Sequence, residues 1–419
     1  METTDPKAKP NYDQYLSGCL VAMMKYAFPM MENIPTNDND ILLVIDMQHD
    51  FASLNPKGKL YVAEGSEIQG AVTQLIGHDR FEHVFASKDF HPPDHVSFGT
   101  FPPHCVQVHW KQEFTPNEVK GYFDESGSKP RPAYPTSIVT PMPFGRGGGR
   151  GGGGNTIVST PGGGPPYINW GSYSRGAKFE PYVLDALNAK RSAGGSVRVF
   201  FKGFNKHHDS FGAIQYNDGG VALANRRTND GALFPLQMHE CLNTFTGAFD
   251  FGLGPDLDAD PQPSDKTMEL THNLENCKHP SGFESMKDAI GKTLNPQAGA
   301  PPTNIFLCGL TMDYCVLDTA LNVKAAFGYR VAVYIVVDAT RPVFIAPPGP
   351  GYLLPPDRFA AMCKEGGVGL VKCGVPRTAL PQPTSGGDPF RWRDAWTAGA
   401  LVMAATAAAA LSTLTPGPN

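Results

Sequence analysis

Four side chains suited to acyl transfer sit directly behind short apolar runs of the sequence. Asp46 follows ILLVI, Asp89 follows VFASK, Lys202 follows VFF, and Cys315 opens a helical pattern a few residues after IFLC. In a parallel α/β sheet, groups just past the carboxyl ends of the strands gather on one rim, which is where such sheets place their sites. A thiol, a carboxylate and an ammonium there supply a nucleophile, a base and a cation, the set that activates sulfur and holds charge while an acyl group moves. Cys315 also falls in the first turn of its helix, where the positive end of the dipole and unpaired backbone N–H groups favour thiolate. Taken alone, each residue has an ordinary alternative. Cys315 could be a packed cysteine like Cys308, Asp46 a helix cap or structural acceptor, and Lys202 a surface group.

The segment from Asp89 to His104 carries a second chemistry. Asp89, His91, His95 and His104 supply one carboxylate and three imidazoles within sixteen positions. A carboxylate with two or three histidines and open positions suits Zn²⁺, Fe²⁺ or Mn²⁺. Asp89 and His91 run straight on from a strand end, and side chains two apart on an extended chain point to the same side. Surface histidines on a Pro-rich loop are the alternative, and His95 fits the pattern least well.

To gather these residues the chain must build a covered parallel sheet. Buried-strand runs recur at Ile41 to Ile45, Val84 to Ala86, Val199 to Phe201, Ile305 to Cys308, Val331 to Val337 and Val368 to Val371. The clearest helical pattern runs from Tyr314 to Phe327, with Val316, Leu317, Ala320, Leu321 and Val323 as an apolar stripe and Gly328 as the stop. Strands alternating with helices predict an α/β fold with a mainly parallel central sheet covered on both faces.

Composition shows where the remaining length goes. Glycine (46) and proline (39) make up about a fifth of the 419 residues, above the usual share, and charged residues are only 18%. The 41% hydrophobic content excludes wholesale disorder, and a net charge of −5 excludes a globally basic nucleic-acid binder. The surplus falls in two stretches that read as insertions. Residues 112–195 are loop-like, with 11 Gly and 5 Pro between positions 141 and 170. Residues 216–302 are mixed, with a helical pattern from Glu284 to Leu294 and a polar, Pro-containing middle over 254–265.

The expected organisation is an N-terminal extension (1–37), one catalytic domain (38–375) interrupted twice, and a C-terminal extension (376–419). Within the last, residues 395–414 form a 20-residue uncharged, Ala-rich run. It reads as a soluble helix, with a membrane anchor as the alternative. None of the eight cysteines forms a CxxC pair, and the first thirty residues lack a basic region followed by an apolar run. Both features predict reduced thiols and a cytoplasmic setting.

Five blocks, in order and composition, closely resemble the nicotinamidases (nicotinamidase/pyrazinamidases) of the isochorismatase-like cysteine hydrolases. They are VIDMQHDF (Val44 to Phe51), SKDFHPPDHVSF (Ser87 to Phe98), FPPHC (Phe101 to Cys105), FFKG (Phe200 to Gly203) and LCGLTMDYCVLDTALNVKAAFGY (Leu307 to Tyr329). With VVDAT (Val336 to Thr340) and the final strand, they span roughly half the chain. The resemblance implies a three-layer isochorismatase-like sandwich and a triad of Asp46, Lys202 and Cys315. It also implies a divalent metal, zinc before iron or manganese, on Asp89, His91 and His104, with His95 a further candidate. A cis peptide between Leu310 and Thr311 would aim the N–H groups of Thr311 and Cys315 at an oxyanion. Phe51, Phe101 and Tyr314 would line the substrate pocket, although Phe101 stands where the family usually has Trp. The implied activity is hydrolysis of nicotinamide to nicotinate and ammonia in NAD salvage, with pyrazinamide or a carbamoyl amine as alternative substrates. No nucleic-acid partner is expected, and a homo-oligomer is left open.

One alternative of a different class starts from Arg146 and Arg150 in a run of glycines, which resembles an RGG-type RNA-binding tract. With two arginines and no interleaved aromatic, it reads as a flexible linker. A non-catalytic scaffold is a third reading, disfavoured by the intact triad.

Overall fold

Apolar runs of Ile, Leu, Val and Phe with no polar alternation have to be covered on both faces, and the chain arranges its layers accordingly. The structure, a computed structural model, describes residues 10–54, 57–91, 95, 97, 101, 104–106, 157–158, 167–168, 176–204, 210–216, 247–252, 254–259, 283–295, 297, 299–345 and 351–375. The chain divides into two compact units, 1–379 and 380–419, and all the described residues belong to the first.

In chain order the main elements are α1 (Tyr12–Ala22), β1 (Ile41–Ile45), α2 (His49–Ala52), α3 (Gln69–Gly77), β2 (His83–Asp89), β3 (Ile157–Val158) and β4 (Tyr167–Ile168). These are followed by α4 (Pro181–Ser192), β5 (Ser196–Lys202), β6 (Phe249–Asp250), β7 (Glu284–Ser285), α5 (Met286–Thr293) and β8 (Thr303–Leu310). The last are α6 (Leu317–Phe327), β9 (Val331–Arg341), β10 (Phe344–Ile345), β11 (Gly351–Tyr352), α7 (Pro356–Glu365) and β12 (Val368–Val371).

The central sheet has eight strands in the order β12-β9-β8-β1-β2-β5-β6-β7. The first six are parallel, and β6 and β7 add antiparallel at one edge. On one face Ile41, Leu43 and Ile45 pack with residues of α1, α5, α6 and α7. On the other, Leu42 and Val44 pack with residues of α3 and α4. This is the α/β three-layer sandwich the sequence predicts. Each fully buried aliphatic or aromatic side chain contributes roughly 1.5–3 kcal/mol, so the two aliphatic layers stabilise the frame on which the rim is built.

Local signals account for the helix ends. Asp288 N–H donates to Ser285 Oγ at 3.1 Å and Ser285 N–H to Asp288 Oδ2 at 3.4 Å, a reciprocal cap that starts α5. Pro181 and Pro356 stand in the first turns of α4 and α7. Near the carboxyl end of β8 the register against β9 shifts between Leu307 and Gly309. Gly309 has φ +105°, and a Cβ there would clash with the Ile45 carbonyl oxygen, so only glycine lets β8 pass this close to β1.

Two parts of the ranges expected to be insertions belong to this frame. Residues 181–192, inside the loop-like range 112–195, form α4, whose buried Val183 and Leu187 are too few to mark a strong apolar stripe in the sequence. Residues 249–250 and 284–293, inside the range 216–302, supply β6, β7 and α5. Two-residue strands leave no periodicity to read. Among the described residues no helix is long and apolar enough to cross a membrane. Residues 395–414 and the tract around Arg146 and Arg150 lie outside the described residues.

The chain leaves at Tyr216 and returns at Gly247 in nearly the same place. Ala248 N–H donates to the Ala213 carbonyl oxygen at 2.8 Å and Gly247 N–H to Ser210 Oγ at 3.1 Å. Replacing residues 217–246 by a four-residue Gly/Ser link is therefore expected to leave thermal unfolding cooperative with an unchanged or higher midpoint, because loop closure costs roughly 0.6 kcal/mol less per halving of length. Calorimetry checks this, and a midpoint lower by ten degrees or more would contradict the closed-ends reading.

Candidate active site

Side-by-side strands bring the rim together. β1 lies between β2 and β8, and β5 lies beyond β2, so Asp46, Asp89, Lys202 and the turn after β8 all emerge at the same end of the sheet. Asp89 and Lys202 are register partners. Asp46 has φ +48°, a left-handed conformation that aspartate tolerates better than most residues. Its N–H donates to the Ser87 carbonyl oxygen at 3.2 Å, and Ser87 Oγ donates to its Oδ1 at 2.6 Å.

Cys315 sits in a π-helical turn, Met312–Val316, that precedes α6. Tyr314 N–H and Val316 N–H both donate to the Thr311 carbonyl oxygen, at 3.2 and 3.0 Å, and the Leu310–Thr311 bond is cis. Thr319 Oγ donates to the Cys315 carbonyl oxygen at 2.6 Å and accepts from Ala213 N–H at 2.9 Å, which fastens the turn to the segment after Lys202.

Lys202 is the hub of the buried site. Its Nζ lies 2.9 Å from Asp46 Oδ2 and 3.6 Å from Cys315 Sγ, pairs with Asp89 Oδ1, and donates to the Ser210 carbonyl oxygen at 3.5 Å. Burial pushes the Asp46 carboxyl up to about 6; Lys202 and the Ser87 hydrogen bond work against this, and Asp89 reinforces it. Burial also opposes ionisation of Asp89, but Lys202 and His91 outweigh it and hold this carboxyl below its ordinary range. For Lys202 burial would lower the pKa, yet the two carboxylates raise it well above normal, so the ammonium stays charged.

The Cys315 thiol is pushed well above its usual value, with burial first and Lys202 opposing. This corrects the expectation that its place at a helix start favours resting thiolate. Burial, with Asp46 and Asp89 adding to it, outweighs the lysine, so the resting sulfur is a thiol.

Asp89, His91 and His104 form a buried group whose donor atoms lie within 4.8 Å of one another. His91 Nδ1 faces the Gly203 carbonyl oxygen at 2.7 Å and must carry its proton there, since a carbonyl only accepts. His91 Nε2 then turns toward Asp89, 3.6 Å from Oδ2. One carboxylate and two imidazoles, one of them oriented by a backbone carbonyl, fit a divalent transition metal such as zinc. Gly203 makes this orientation possible, because at φ +70° a Cβ would stand 2.5 Å from His91 Cε1. Asp46, Asp89 and Cys315 are similarly close to one another, but the Lys202 ammonium lies against all three, which suits proton and charge handling rather than a cation.

The remaining expected residues fall around these two groups. The His95 ring stacks on His91 at 4.0 Å, and its Nδ1 lies 2.6 Å from Ser97 Oγ and accepts from Ser97 N–H at 3.2 Å. It stands outside the three-donor group. Phe51 and Phe101 approach His104 edge-on at 5.5 and 6.1 Å, beside the three-donor group, whereas Tyr314 packs against Phe211 at 5.1 Å.

Three contributors have no distinctive sequence signal. Ser87 bonds Asp46, Phe211 backs Tyr314, and Gln48 grips the backbone of Asp89, accepting from its N–H at 2.7 Å and donating to its carbonyl oxygen at 2.8 Å. Gln48 and Ser87 lie inside motif blocks, but nothing in their type marks them as supports. Among the described residues, two surface concavities, one around Phe283 and Phe327 and one around Asn39, His83 and Ser196, involve none of the rim residues.

No family model and no curated protein matches the chain. Solved structures do. PnC1 from L. infantum in complex with nicotinate is 17% identical, with 81% of this chain and 96% of that chain covered and a TM-score of 0.38. A nicotinamidase/pyrazinamidase of Acinetobacter baumanii is 16% identical, with coverage of 81% and 98% and the same TM-score of 0.38. Pyrazinamidase of Pyrococcus horikoshii in complex with zinc is 16% identical, with coverage of 80% and 99% and a TM-score of 0.33.

If Asp89, His91 and His104 hold a metal, Gly203→Ala should displace the His91 ring and lower metal affinity by about 10- to 100-fold, as loss of a supporting contact does elsewhere. Plasma mass spectrometry of protein dialysed against dilute zinc would show this as a loss of bound metal. Equal metal content in Gly203→Ala and wild type would contradict the assignment.

Proposed function

We propose that the protein is a metal-assisted cysteine amidohydrolase, a nicotinamidase that hydrolyses nicotinamide to nicotinate and ammonia through a Cys315 thioester and so serves NAD salvage. The observation that carries this reading is the buried Lys202 ammonium, which lies against Cys315 Sγ, Asp46 and Asp89 together while Asp89 also belongs to the three-donor group. The ordered motif blocks, with their resemblance to nicotinamidases, supply the substrate class.

At neutral pH Asp46 is ionised and the Cys315 thiol protonated, so the first event is transfer of the S–H proton to Asp46. Lys202 holds the resulting negative charge on sulfur. The thiolate adds to the carboxamide carbon, and the carbonyl oxygen takes up negative charge beside the backbone N–H groups of Thr311 and Cys315. Collapse breaks the C–N bond, and the leaving nitrogen takes the proton from Asp46 and departs as ammonia. A water then gives a proton to Asp46 and adds its oxygen to the thioester. The C–S bond breaks, Asp46 returns its proton to sulfur, and the product leaves as nicotinic acid, whose remaining proton passes to solvent or to the ammonia to give nicotinate. Asp89, His91 and His104 would hold the divalent metal, which when bound supplies a Lewis-acid point for orienting a ring nitrogen or a water. Phe51 and Phe101 flank His104 and offer apolar surface to a flat heteroaromatic ring.

Ammonia release tests the reading. Wild-type protein with zinc is expected to release ammonia from nicotinamide and pyrazinamide, and Cys315→Ala to release none. Because Asp46 works only when ionised, kcat/KM should be full above pH 7 and fall as pH drops through about 6. The Ser87 hydroxyl stabilises the charged carboxylate, so Ser87→Ala should move this acid limb to higher pH. Ammonia release by Cys315→Ala, or none by wild type on either amide, would refute the proposal.

A further inference from the structure

Asp50 is a buried acid that the proposed chemistry does not use. It stands in α2, between the base Asp46 and the pocket residue Phe51. Its carboxylate accepts two backbone hydrogen bonds, from Lys59 N–H on Oδ1 at 3.0 Å and from Cys105 N–H on Oδ2 at 2.7 Å. Its own N–H donates to the Gly176 carbonyl oxygen at 3.2 Å, and its carbonyl oxygen accepts from Leu60 N–H at 3.0 Å. Two glycines make room for it: a Cβ on Gly176 would overlap Asp50 Oδ2, and one on Gly58 would overlap the Asp50 carbonyl oxygen.

The bond to Cys105 reaches the three-donor group. Cys105 directly follows His104 and has φ +48°, a conformation that a residue with a side chain keeps only when its surroundings enforce it. Both ends of the residue are fastened. Its N–H is held by Asp50, and its carbonyl oxygen accepts from His91 N–H at 2.9 Å. The backbone that joins the two histidines is therefore anchored to the loop behind β1. On that loop Gln48 holds the Asp89 backbone in the same way, by its N–H and its carbonyl oxygen.

We infer that Asp50 is a positioning residue for the metal site, fixing the Cys105 backbone so that His104 and His91 present their donors to one ion. This rests on the reading of Asp89, His91 and His104 as ligands and adds to it the acid that sets their spacing. Without the carboxylate, Cys105 is released to relax toward negative φ, and the His104 ring turns with it. Partners that orient ligands from behind in this way are worth roughly 10- to 100-fold in metal affinity.

The test is zinc affinity, measured by competition with a chromophoric chelator on wild type, Asp50→Ala and Asp50→Asn, each freed of metal and held well below its own melting temperature. Asp50→Ala should bind zinc about 10- to 100-fold more weakly than wild type. Asp50→Asn keeps one acceptor oxygen, which the buried Cys105 N–H claims before the more exposed Lys59 N–H, so it should bind within about threefold of wild type. Gly176→Ala pushes the carboxylate off its place without changing its charge, and it carries the same expectation as Asp50→Ala where that variant does not fold. Folded Asp50→Ala or Gly176→Ala that binds zinc as tightly as wild type overturns the inference, as does an Asp50→Asn protein no better than Asp50→Ala. A wild type that binds no zinc defeats the ligand reading itself, and the inference falls with it. Because the readout is metal and not ammonia, failure of the amide chemistry alone would leave this result standing.

Discussion

Much of the site depends on one buried ammonium. Lys202 lies between the carboxylates of Asp46 and Asp89 and within reach of Cys315 Sγ, with almost none of it exposed to solvent. Two buried carboxylates this close would repel each other strongly, and removing the charge between them would cost about 3–5 kcal/mol, as when one partner of a buried pair is deleted. The same arrangement divides the labour of the two acids. Asp89 stays ionised beside Lys202 and the two histidines, whereas Asp46, with fewer positive neighbours, is raised toward neutrality. Environments that push two carboxyl groups apart in this way give one site both a lasting anion and, under the proposed function, a base.

The sheet makes that arrangement rigid. Asp89 and Lys202 are fixed as neighbours by the β2–β5 register, and Asp46 follows the strand on the other side of β2. β5 would be an edge strand if the sheet ended there, leaving the backbone beside Lys202 open to pairing with other chains. Instead β6 and β7 cover it, with Phe201 paired to Phe249. Beyond Lys202 the segment 210–216 reaches α6, where Tyr216 Oη donates to Asp318 Oδ2 at 2.6 Å and Asn322 Nδ2 to the Ile214 carbonyl oxygen at 2.9 Å. The lysine and the cysteine, 113 positions apart in sequence, are thus tied through one short stretch of chain.

The residues at strand ends were legible because two signals coincide there. ILLVI before Asp46 and VFF before Lys202 read as buried strands, and a charged group immediately behind such a run has few structural uses. Asp89, His91 and His104 were legible from donor type, but the place of His95 was not, since its stacking on His91 depends on a ring orientation that spacing does not set. The helix-start argument for Cys315 is local, while what reverses it is tertiary: burial, and the carboxylates of Asp46 and Asp89 brought in behind β1 and β2. Gln48, Ser87 and Phe211 act through partners between 41 and 103 positions away, and no local pattern distinguishes them from packed residues. The same holds for β6 and β7, whose two residues each are strands only because β5 lies beside them.

The central claim is that the amide carbon passes through a bond to Cys315 sulfur, and the direct measurement is to find that bond. Enzyme in excess over nicotinamide, quenched in acid at short times and digested, should yield the peptide containing Cys315 with a nicotinoyl group on sulfur. That adduct should rise with ammonia release and decay into nicotinate. Ammonia released with no acyl group on Cys315 at any time, or an acyl group carried by another residue, would contradict the account.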